Sequence, residues 1–173
     1  MSATRAAMSF SVFWQRLYIQ VSASRIKVLS LKTDRVYDAP PLVAIGAETG
    51  KFKIVAAGRD AQLLQRDQSL NVVNPFAHPR TIIGDFTVAE KLIEHAIREV
   101  TKGCWFAPFK EAIIHPEGDF EGGLTQIEYR ALNELCLVAG CRRHTVYEGR
   151  PLTRSEVANV DIKGASYYPH NAN

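Results

Sequence analysis

The residues best suited to bind a metal ion lie close together in the segment 115–123, which reads HPEGDFEGG. One imidazole and three carboxylates fall within this segment: His115, Glu117, Asp119 and Glu121. Nitrogen and oxygen ligands of these types bind zinc, calcium or magnesium when they converge on one point. Their spacing matches none of the standard ligand sets, and the glycines between them are typical of a loop. We therefore predict a solvated acidic loop and no metal site.

A second pair, Cys141 and His144, combines a thiol with an imidazole, which is the chemistry of a cysteine nucleophile and its general base. The two residues enter a predicted strand three positions apart, so their side chains should point to opposite faces. We predict no catalytic role for them. All three cysteines, which include Cys104 and Cys136, lack Cys-x-x-Cys spacing and are interpreted as free thiols of a reducing compartment.

A third candidate is the turn within LYIQVSASRIKVLSLK, residues 17–32. Apolar residues alternate on both sides of SASR, which predicts two strands joined by a tight turn. A turn of this kind holds a phosphate well when glycine leaves the backbone amides open to the anion. Here the turn contains no Gly, Asn or Asp, and it offers only Ser22, Ser24 and Arg25 as scattered donors. The residues alone therefore predict a poor anion site.

The elements that must position these residues follow from hydrophobic periodicity. Apolar runs bounded by turn signals predict strands at 41–47, 52–58, 111–115 and 142–149, and short extended pieces at 69–76 and 81–85. Helical periodicity predicts helices over 59–66, 87–100 and 125–140. Hairpin strands come first and helix–strand–helix–strand follows, so the sequence predicts an α/β fold with a mixed β-sheet flanked by helices.

The two longer predicted helices carry start signals and apolar stripes. Capping-box spacing occurs at Thr87 with Glu90 and again at Thr125 with Glu128. The predicted inward-facing residues are Leu92, Ile93, Ala96, Ile97 and Val100 in the first helix, and Ile127, Ala131, Leu135 and Val138 in the second. Gly140 is expected to end the second helix.

The overall composition excludes several classes of protein. A chain of 173 residues is expected to form one compact domain. Its net charge of +3 comes without any Lys/Arg block interleaved with aromatic residues, so nucleic-acid binding is not predicted. No run of 18 apolar residues occurs, so no membrane span is predicted.

Two aromatic segments are candidates for contact with a membrane or a partner. The stretch FSVFWQRLY places Phe10, Phe13, Trp14 and Leu17 at helical spacing, which suits a short amphipathic helix in a membrane interface. The alternative is that this stretch packs on the domain or continues directly into the first strand. Trp105 and Phe106, with Phe109, form an aromatic group in a loop that either covers the edge of the core or forms a partner-binding patch.

Three blocks of the sequence resemble the bacterial actin MreB family, in the same order and with nearly ungapped spacing. The run YDAPPLVAIGAETGKFKIVAAGRDAQ is similar to the family's NEPSVVAI…VGxEA. The run VVNPFAHPRTIIGDFTVAEKLI resembles IRPxxDGVIADFxVTEKML, and GGLTQIEYRALNELCLVAGCRRHTVYEG resembles xGITxVERRAxxxAxxxAGAxxVxLIEEP. The resemblance covers about residues 17 to 152. It implies a single actin-like (ribonuclease H-like) lobe of an ATPase fold with a small inserted subdomain, and the second lobe of the family is expected to be absent.

The same resemblance implies a nucleotide site whose chemical residues differ in this chain. The family's first hairpin carries Asp-Leu-Gly-Thr, in which the Asp positions hydrated magnesium and the Gly and Thr receive the phosphates. The aligned residues here are Gln20, Val21, Ser22 and Ala23. In the family's Glu-Glu-Pro motif the second Glu orients the attacking water, and Glu148, Gly149 and Arg150 occupy the three positions here unless the register shifts by one.

These substitutions lead us to expect a non-catalytic protein that binds no cofactor. We expect a cytoplasmic, rod shape-determining-type protein, in peripheral contact with the inner face of the plasma membrane. Its expected partner is a full-length actin-like filament protein or a second copy of itself. The alternatives are an ATP/Mg-binding half of a split actin-like ATPase and a membrane-surface adaptor that uses residues 8–17. The predicted divisions are an extension (1–16), the lobe (17–160) and a flexible tail (161–173).

Overall fold

The structure, a computed structural model, describes residues 13–48, 51–105, 107–118, 120 and 122–162. Within these ranges the strands are β1 (Trp14–Val21), β2 (Ile26–Ser30), β3 (Val36–Ala39), β4 (Val43–Glu48), β5 (Lys51–Ala57), β6 (Leu70–Val73), β7 (Phe109–Pro116) and β8 (Cys141–Val146). The described helices are α1 (Arg59–Leu63), α2 (Phe86–Thr101), α3 (Gln126–Val138) and α4 (Arg154–Asn159). None of these helices is both long and apolar enough to cross a lipid bilayer.

Five strands form the main sheet, in the order β3-β2-β1-β7-β8. The three strands at the start of the chain pair antiparallel, whereas β7 pairs parallel with both β1 and β8. Because parallel neighbours need a long crossover connection, the chain between β3 and β7 has room for a second sheet and for α2. The predicted α/β fold with a mixed sheet flanked by helices is confirmed.

The main core lies on one side of this sheet, which we call the first face. Alternate residues of β1 point into it, and the paired residues of β2 and β7 join them: Leu17, Ile19, Val21, Ile26, Val28, Ala112 and Ile114. Helices α2 and α3 cover this face. The stripe predicted for α2 is confirmed, since Leu92, Ile93, Ala96, Ile97 and Val100 are all at most 1% exposed.

The helix start signals were predicted correctly in one case and wrongly in the other. Thr125 and Glu128 form the predicted capping box at α3, with the Glu128 amide 3.2 Å from the Thr125 hydroxyl. The box predicted at Thr87 is wrong, because α2 already begins at Phe86 and the Asp85 carboxylate accepts the Val88 amide at 3.0 Å. Gly140 follows α3 at a φ of +82°, which suits its predicted role at the helix end.

The inward face of α3 is narrower than the sequence suggested. Leu132, Leu135 and Cys136 are fully buried, while Ile127 is 81% exposed and Val138 is 37% exposed. At 100° per residue these two side chains lie roughly 110–130° from the direction of the buried ones. The prediction that Ile127 and Val138 face inward is therefore wrong.

The structure supports the alternative in which the stretch FSVFWQRLY continues directly into the first strand, because Trp14 and Leu17 lie in β1, where Leu17 is fully buried. Phe10 lies outside the described residues. The segment 81–85 forms no strand: Thr81 makes one isolated bridge to His78, and Asp85 caps α2.

The expected inserted subdomain is the antiparallel sheet β5-β4-β6, which lies in sequence between β3 and α2. Val43 and Ala57 connect it to the main core. The side-chain amide of Asn74 also donates to the Ala23 carbonyl at 2.8 Å, so a hydrogen bond connects the subdomain to the first hairpin turn.

The opposite side of the main sheet, which we call the second face, is covered by α4 and by the chain up to Ile162. This helix was not predicted. A small apolar cluster lies here around Tyr18, Ile113, Val157 and Ile162. Most of the predicted tail, residues 163–173, lies outside the described residues, and the domain divisions stay predictions.

Candidate functional site

Three parallel strands end at one edge of the main sheet, and the segments that follow them line a crevice. The turn after β1, Glu117 after β7 and Glu148 after β8 reach this edge. One cavity of about 520 Å³ is lined by Ser22, Ala23, Arg80, Glu117 and Glu128, among others. A second, of about 410 Å³, is lined by His115, Glu117, Glu148 and Gly149, among others. Both share Glu117, Gly118 and Phe120, and we refer to the two cavities together as the crevice.

The hairpin turn at 22–25 uses its polar groups within itself. The Ser22 amide donates to the Arg25 carbonyl at 2.9 Å, and the Arg25 amide donates to the Ser22 hydroxyl at 3.1 Å. The Ser24 hydroxyl lies 3.3 Å from that of Ser22. Ala23 contributes no polar side chain. The structure therefore places Ser22 and Ala23 at the crevice, and the Ser22 and Arg25 amides are already engaged inside the turn.

Arg25 does not face an open anion site. Its guanidinium makes two hydrogen bonds to the Asp38 carboxylate, at 2.8 and 2.6 Å. The hydrogen bonds from Arg25 lower the pKa of Asp38 below its ordinary value. The positive charge of Arg25 is therefore paired with the carboxylate of Asp38 in β3.

Gln20 is the residue before the end of β1, lies against Glu117 of the crevice and is only 6% exposed. Its side-chain nitrogen donates a short hydrogen bond to a carboxylate oxygen of Glu117. Where the resemblance implies an aspartate that positions magnesium, this chain has an amide that holds a neighbouring carboxylate. Two residues that the sequence treated separately, one in the hairpin and one in the acidic loop, are brought together.

Glu148 and Gly149 lie at the other end of the crevice. Glu148 accepts the Leu124 amide at 3.2 Å, so its carboxylate helps to fix the loop before α3. Gly149 has a φ of +147°, and a Cβ there would lie 2.8 Å from the Tyr147 hydroxyl. A glutamate at this position would be strained and would clash, so the backbone itself explains the glycine.

The acidic loop brings no metal-ligand set together in the described part of the chain. His115 is buried in β7 and contacts Tyr18, while Glu117 is engaged by Gln20. Asp119 and Glu121 lie outside the described residues. Among the residues that the structure describes, no group of three or more potential ligands converges.

The thiol–imidazole pair does not form a nucleophile and base. The His144 ring faces the backbone carbonyl of Cys141 at 3.3 Å rather than its sulfur. Burial raises the pKa of the Cys141 thiol to about 12, which keeps it protonated at neutral pH.

The crevice residues do not fit the magnesium nucleotide that the resemblance implies. Phosphates are bound by free backbone amides and by cations. The acidic side chains that line the crevice are Glu117, Glu128 and Glu148, and its basic ones are Arg80 and His78. Two of the four turn amides, those of Ser22 and Arg25, are engaged inside the turn, and Gln20 stands where a carboxylate would position magnesium.

The aromatic candidates lie at the other edge of the main sheet, where β1 and β7 begin. Trp14 and Phe109 are paired in register, with ring centroids 5.4 Å apart. The guanidinium of Arg142 lies over Phe109 at 4.4 Å, and that of Arg143 lies over Trp14 at 5.4 Å. Phe13 is 53% exposed and Trp105 is 87% exposed, whereas Phe106 lies outside the described residues.

Two structural features escaped the sequence reasoning. The first is the exposed apolar side of α3, with Ile127, Leu137 and Val138, whose residues were assigned to the core or passed over. The second is α4, which has a complete capping box between Thr153 and Glu156. That Thr-x-x-Glu spacing is visible in the sequence and is the signal that would have revealed the helix.

Comparison with known proteins gives a consistent family assignment. The sequence model of the MreB/Mbl protein family matches residues 15–165. The cell shape-determining protein MreB of Pasteurella multocida is 30% identical over 135 residues, which cover 76% of this chain and 36% of that protein. The chain thus spans little more than a third of the length of this curated relative.

Solved structures show the same fold. MreB5 of Spiroplasma citri bound to ADP superposes with a TM-score of 0.61 at 17% identity, covering 78% of this chain and 38% of that one. A MamK double helical filament gives a TM-score of 0.55 at 14% identity, covering 77% and 40%. The match falls in each case on an actin-like protein more than twice as long as the region compared.

Proposed function

The chain belongs to the MreB/Mbl family, and from this premise we propose that it is a non-catalytic member that acts by binding another protein of the cell-shape machinery. The observation that carries the proposal is the contact between Gln20 and Glu117 at the end of β1. It replaces a magnesium-positioning carboxylate with a neutral amide that is already paired. The family fold is retained, and on this proposal the residues for ATP hydrolysis are not.

The exposed side of α3 supports a role in protein binding. Ile127 and Leu137 are 81% and 50% exposed, and Val138 lies beside them on the same side of the helix. Arg130 and Glu134 lie between the apolar residues and are exposed as well. Exposed apolar residues interspersed with charged ones are typical of a helix that packs against another protein. We call this set of five residues the α3 surface.

The partner we propose for the α3 surface is a full-length actin-like filament protein of the same family. The filament architecture of MamK, which shares this fold, favours a partner that is itself actin-like. Binding of a second copy of this chain is the alternative outcome. Neither requires nucleotide in the crevice.

Co-sedimentation with purified filaments of the full-length MreB of the same cell tests this proposal. The wild-type chain is expected to pellet with the filaments. The amount that pellets should be the same whether or not this chain is first incubated with Mg·ATP. Ile127→Glu is expected to weaken binding by about tenfold or more, the effect of losing a central apolar contact. Leu63→Glu, on α1, is the matched control because Leu63 is also 81% exposed.

Equal pelleting of wild type and Ile127→Glu would remove the α3 surface from the proposal. An equal loss with Leu63→Glu would indicate a nonspecific effect of added charge. Sedimentation velocity of the chain alone tests whether the partner is a second copy of this chain. A concentration-dependent dimer that Ile127→Glu abolishes would identify a second copy as the partner.

A membrane-surface role is a second candidate, favoured by Trp105 and Phe13. Both aromatic side chains are largely exposed near the edge where Arg142 and Arg143 cover the neighbouring rings. Exposed tryptophan beside arginine suits an anionic lipid interface. Trp105→Glu is expected to abolish sedimentation with phosphatidylserine vesicles, whereas Leu63→Glu should not. Unchanged lipid binding of Trp105→Glu would end this candidate.

A further inference from the structure

An irregularity in β8, the edge strand of the main sheet, places two neighbouring arginines over one pair of aromatic rings. The register with β7 shifts here, so that Cys141 and Arg143 have partners in β7 while Arg142 between them has none. Successive residues of a regular strand point to opposite faces, and a β-bulge changes the direction of the extra side chain. The bulge therefore explains how both guanidiniums lie over rings of the Trp14–Phe109 pair.

The two arginines differ in what their N–H groups contact. Arg143 donates to the Ile162 carbonyl at 2.6 Å and lies 3.5 Å from the Glu111 carboxylate. Arg142 is exposed, and no carboxylate or carbonyl of the described residues accepts a hydrogen bond from it. A guanidinium held on a ring keeps its N–H donors in its own plane, where a carboxylate can accept two of them. Arg142 thus presents an oriented anion-binding group to solvent.

A groove adjoins the ring pair at Trp14, and we call it the Trp14 groove. Its volume is about 310 Å³, which lies in the range of cavities that bind small ligands. Its apolar surface comes from Trp14, Leu31 and Ala158, the last of which lies at the end of α4. The Glu111 carboxylate in its wall is paired with Arg16 at 2.6 Å, so the groove suits an apolar side chain.

The distance between the Trp14 groove and Arg142 fits a short extended peptide. The ring centroids of Trp14 and Phe109 are 5.4 Å apart, and the Arg142 guanidinium lies 4.4 Å from that of Phe109. Trp14 and Arg142 therefore lie within about 10 Å of each other, which an extended chain spans in about three residues. One segment can place an apolar side chain in the groove and a carboxylate, two or three residues away, on Arg142.

Charge and shape together indicate the kind of partner. The charged side chains at the groove and the ring pair are Arg16, Lys32, Arg142, Arg143 and Glu111, so positive charge dominates and favours an acidic ligand. A lipid head group would satisfy Arg142 but would leave the groove unfilled. An acidic protein segment with an apolar residue fits both features.

We propose that the Trp14 groove and Arg142 form a docking surface for an acidic segment of a partner protein, with an apolar side chain in the groove and a carboxylate on Arg142. This surface shares no residue with the α3 surface. The inference goes beyond the proposed function, because it requires neither the α3 surface nor an actin-like partner.

Binding of short synthetic peptides, followed by the fluorescence of Trp14, tests this docking surface. The chain contains two tryptophans, so Trp105→Phe leaves Trp14 as the only reporter. The capped peptide Ser-Leu-Ser-Glu-Glu-Ser is expected to change its emission saturably, with a Kd below about 1 mM. Replacing both Glu by Gln, or Leu by Ser, changes only the ligand and is expected to weaken binding about tenfold or more.

The matched protein variants change one exposed arginine each. Arg142→Gln is expected to weaken peptide binding about tenfold, because the carboxylate loses a charged, oriented donor. Arg130→Gln, at an exposed position of α3, should bind the peptide as the parent does. The proposal would be overturned if the acidic peptide gave no saturable change up to about 5 mM. Equal affinities of Arg142→Gln and its parent, or equal losses in both variants, would also overturn it.

Sedimentation with phosphatidylserine vesicles distinguishes a lipid surface from a protein segment. Wild type and Arg142→Gln are expected to pellet with these vesicles to the same extent, because the docking surface is built for a peptide. Loss of vesicle binding in Arg142→Gln, together with no binding of the acidic peptide, would assign Arg142 to a lipid surface and overturn the proposal.

Discussion

The first face of the main sheet and the crevice at its edge are formed by the same strands, yet they differ in how far they retain the family pattern. On the first face, β1 and β7 place apolar side chains at each inward position from Leu17 to Val21 and at Ala112 and Ile114. Near the crevice β1 carries Gln20, and the segments that follow β1, β7 and β8 carry Ala23, Glu117 and Gly149. The comparison shows that a fold needs only the shape and apolarity of its core, whereas catalysis needs particular groups at particular atoms.

The largest expected effect comes from a substitution in the core on the first face. Ile114→Ala removes a fully buried side chain between β1 and the helices, and should lower the free energy of unfolding by roughly 2–5 kcal/mol. Urea denaturation measures this loss. Leu63→Ala is the control, expected within about 0.5 kcal/mol of wild type because its side chain is exposed. A small loss at Ile114 would mean that the first face is not the main source of stability.

A smaller effect is expected at the crevice. Gln20→Leu keeps the volume but deprives Glu117 of its hydrogen-bond donor, with an expected loss of about 1–3 kcal/mol in urea denaturation. Gln20→Asn serves as a second variant that shortens the amide without removing it. Greater stability of Gln20→Leu than of wild type would show that the contact with Glu117 is strained and does not explain the glutamine.

Acidification should destabilise the protein in a defined pH range. Burial lowers the pKa of His115 and of His144, so the unfolded chain takes up protons on these residues at a higher pH than the folded chain. Their contribution is fully present above the unfolded histidine pKa of about 6.5 and is lost as pH falls toward the folded values, by up to about 1.4 kcal/mol per pH unit for each histidine.

Chemical denaturation at pH 7.5, 6.5 and 5.5 measures this slope. The double variant His115→Gln with His144→Gln should reduce it, and a slope unchanged in that variant would assign the effect to other groups, first of all His95, whose pKa burial also lowers. The two histidines lie in different regions of the molecule: His115 lies at the crevice, and His144 lies in β8 beside Cys141.

The smallest effect is expected at the surface pair beside the turn. Arg25→Gln removes two hydrogen bonds to Asp38, but both side chains are well exposed, at 46% and 39%. Solvent and salt screen such a pair, so we expect a loss of about 0–1 kcal/mol that shrinks further at high salt. A larger loss would mean that the turn depends on Arg25 for its conformation.

Much of the fold could be predicted from the sequence because apolar periodicity dominates it. The hairpin β1–β2, strands β4, β5 and β7, and the α2 stripe all follow directly from the spacing of apolar residues. Local spacing left two interpretations open for Trp14 and Leu17, and tertiary pairing decides between them: both residues lie in β1, which pairs with a strand on each side. Asp85 and Thr87 are both good caps, and the helix begins at the earlier one.

The crevice could be predicted less well than the fold. The absence of the family's Asp, Thr and Glu was readable at Gln20, Ala23 and Gly149. What replaced them was not, because the contact of Gln20 with Glu117 joins residues 97 positions apart. The contacts of Arg16 join residues that are still further apart in the sequence. Its guanidinium donates to carbonyls 141 to 144 residues further along the chain. Contacts from side chain to backbone leave no periodic trace in a sequence.

The measurement that tests the non-catalytic proposal most directly is a thermal-shift titration of this chain with Mg·ATP, beside the full-length MreB of Pasteurella multocida as a comparator. Saturating ligand at 100 times its dissociation constant stabilises a protein by about 2.7 kcal/mol, which corresponds to a rise in melting temperature of roughly 5–10 °C for a chain of this size. We predict no saturable rise for this chain at concentrations that shift the comparator. A clear saturable rise, reproduced with Mg·ADP, would contradict the account and favour a nucleotide-binding half of a split ATPase.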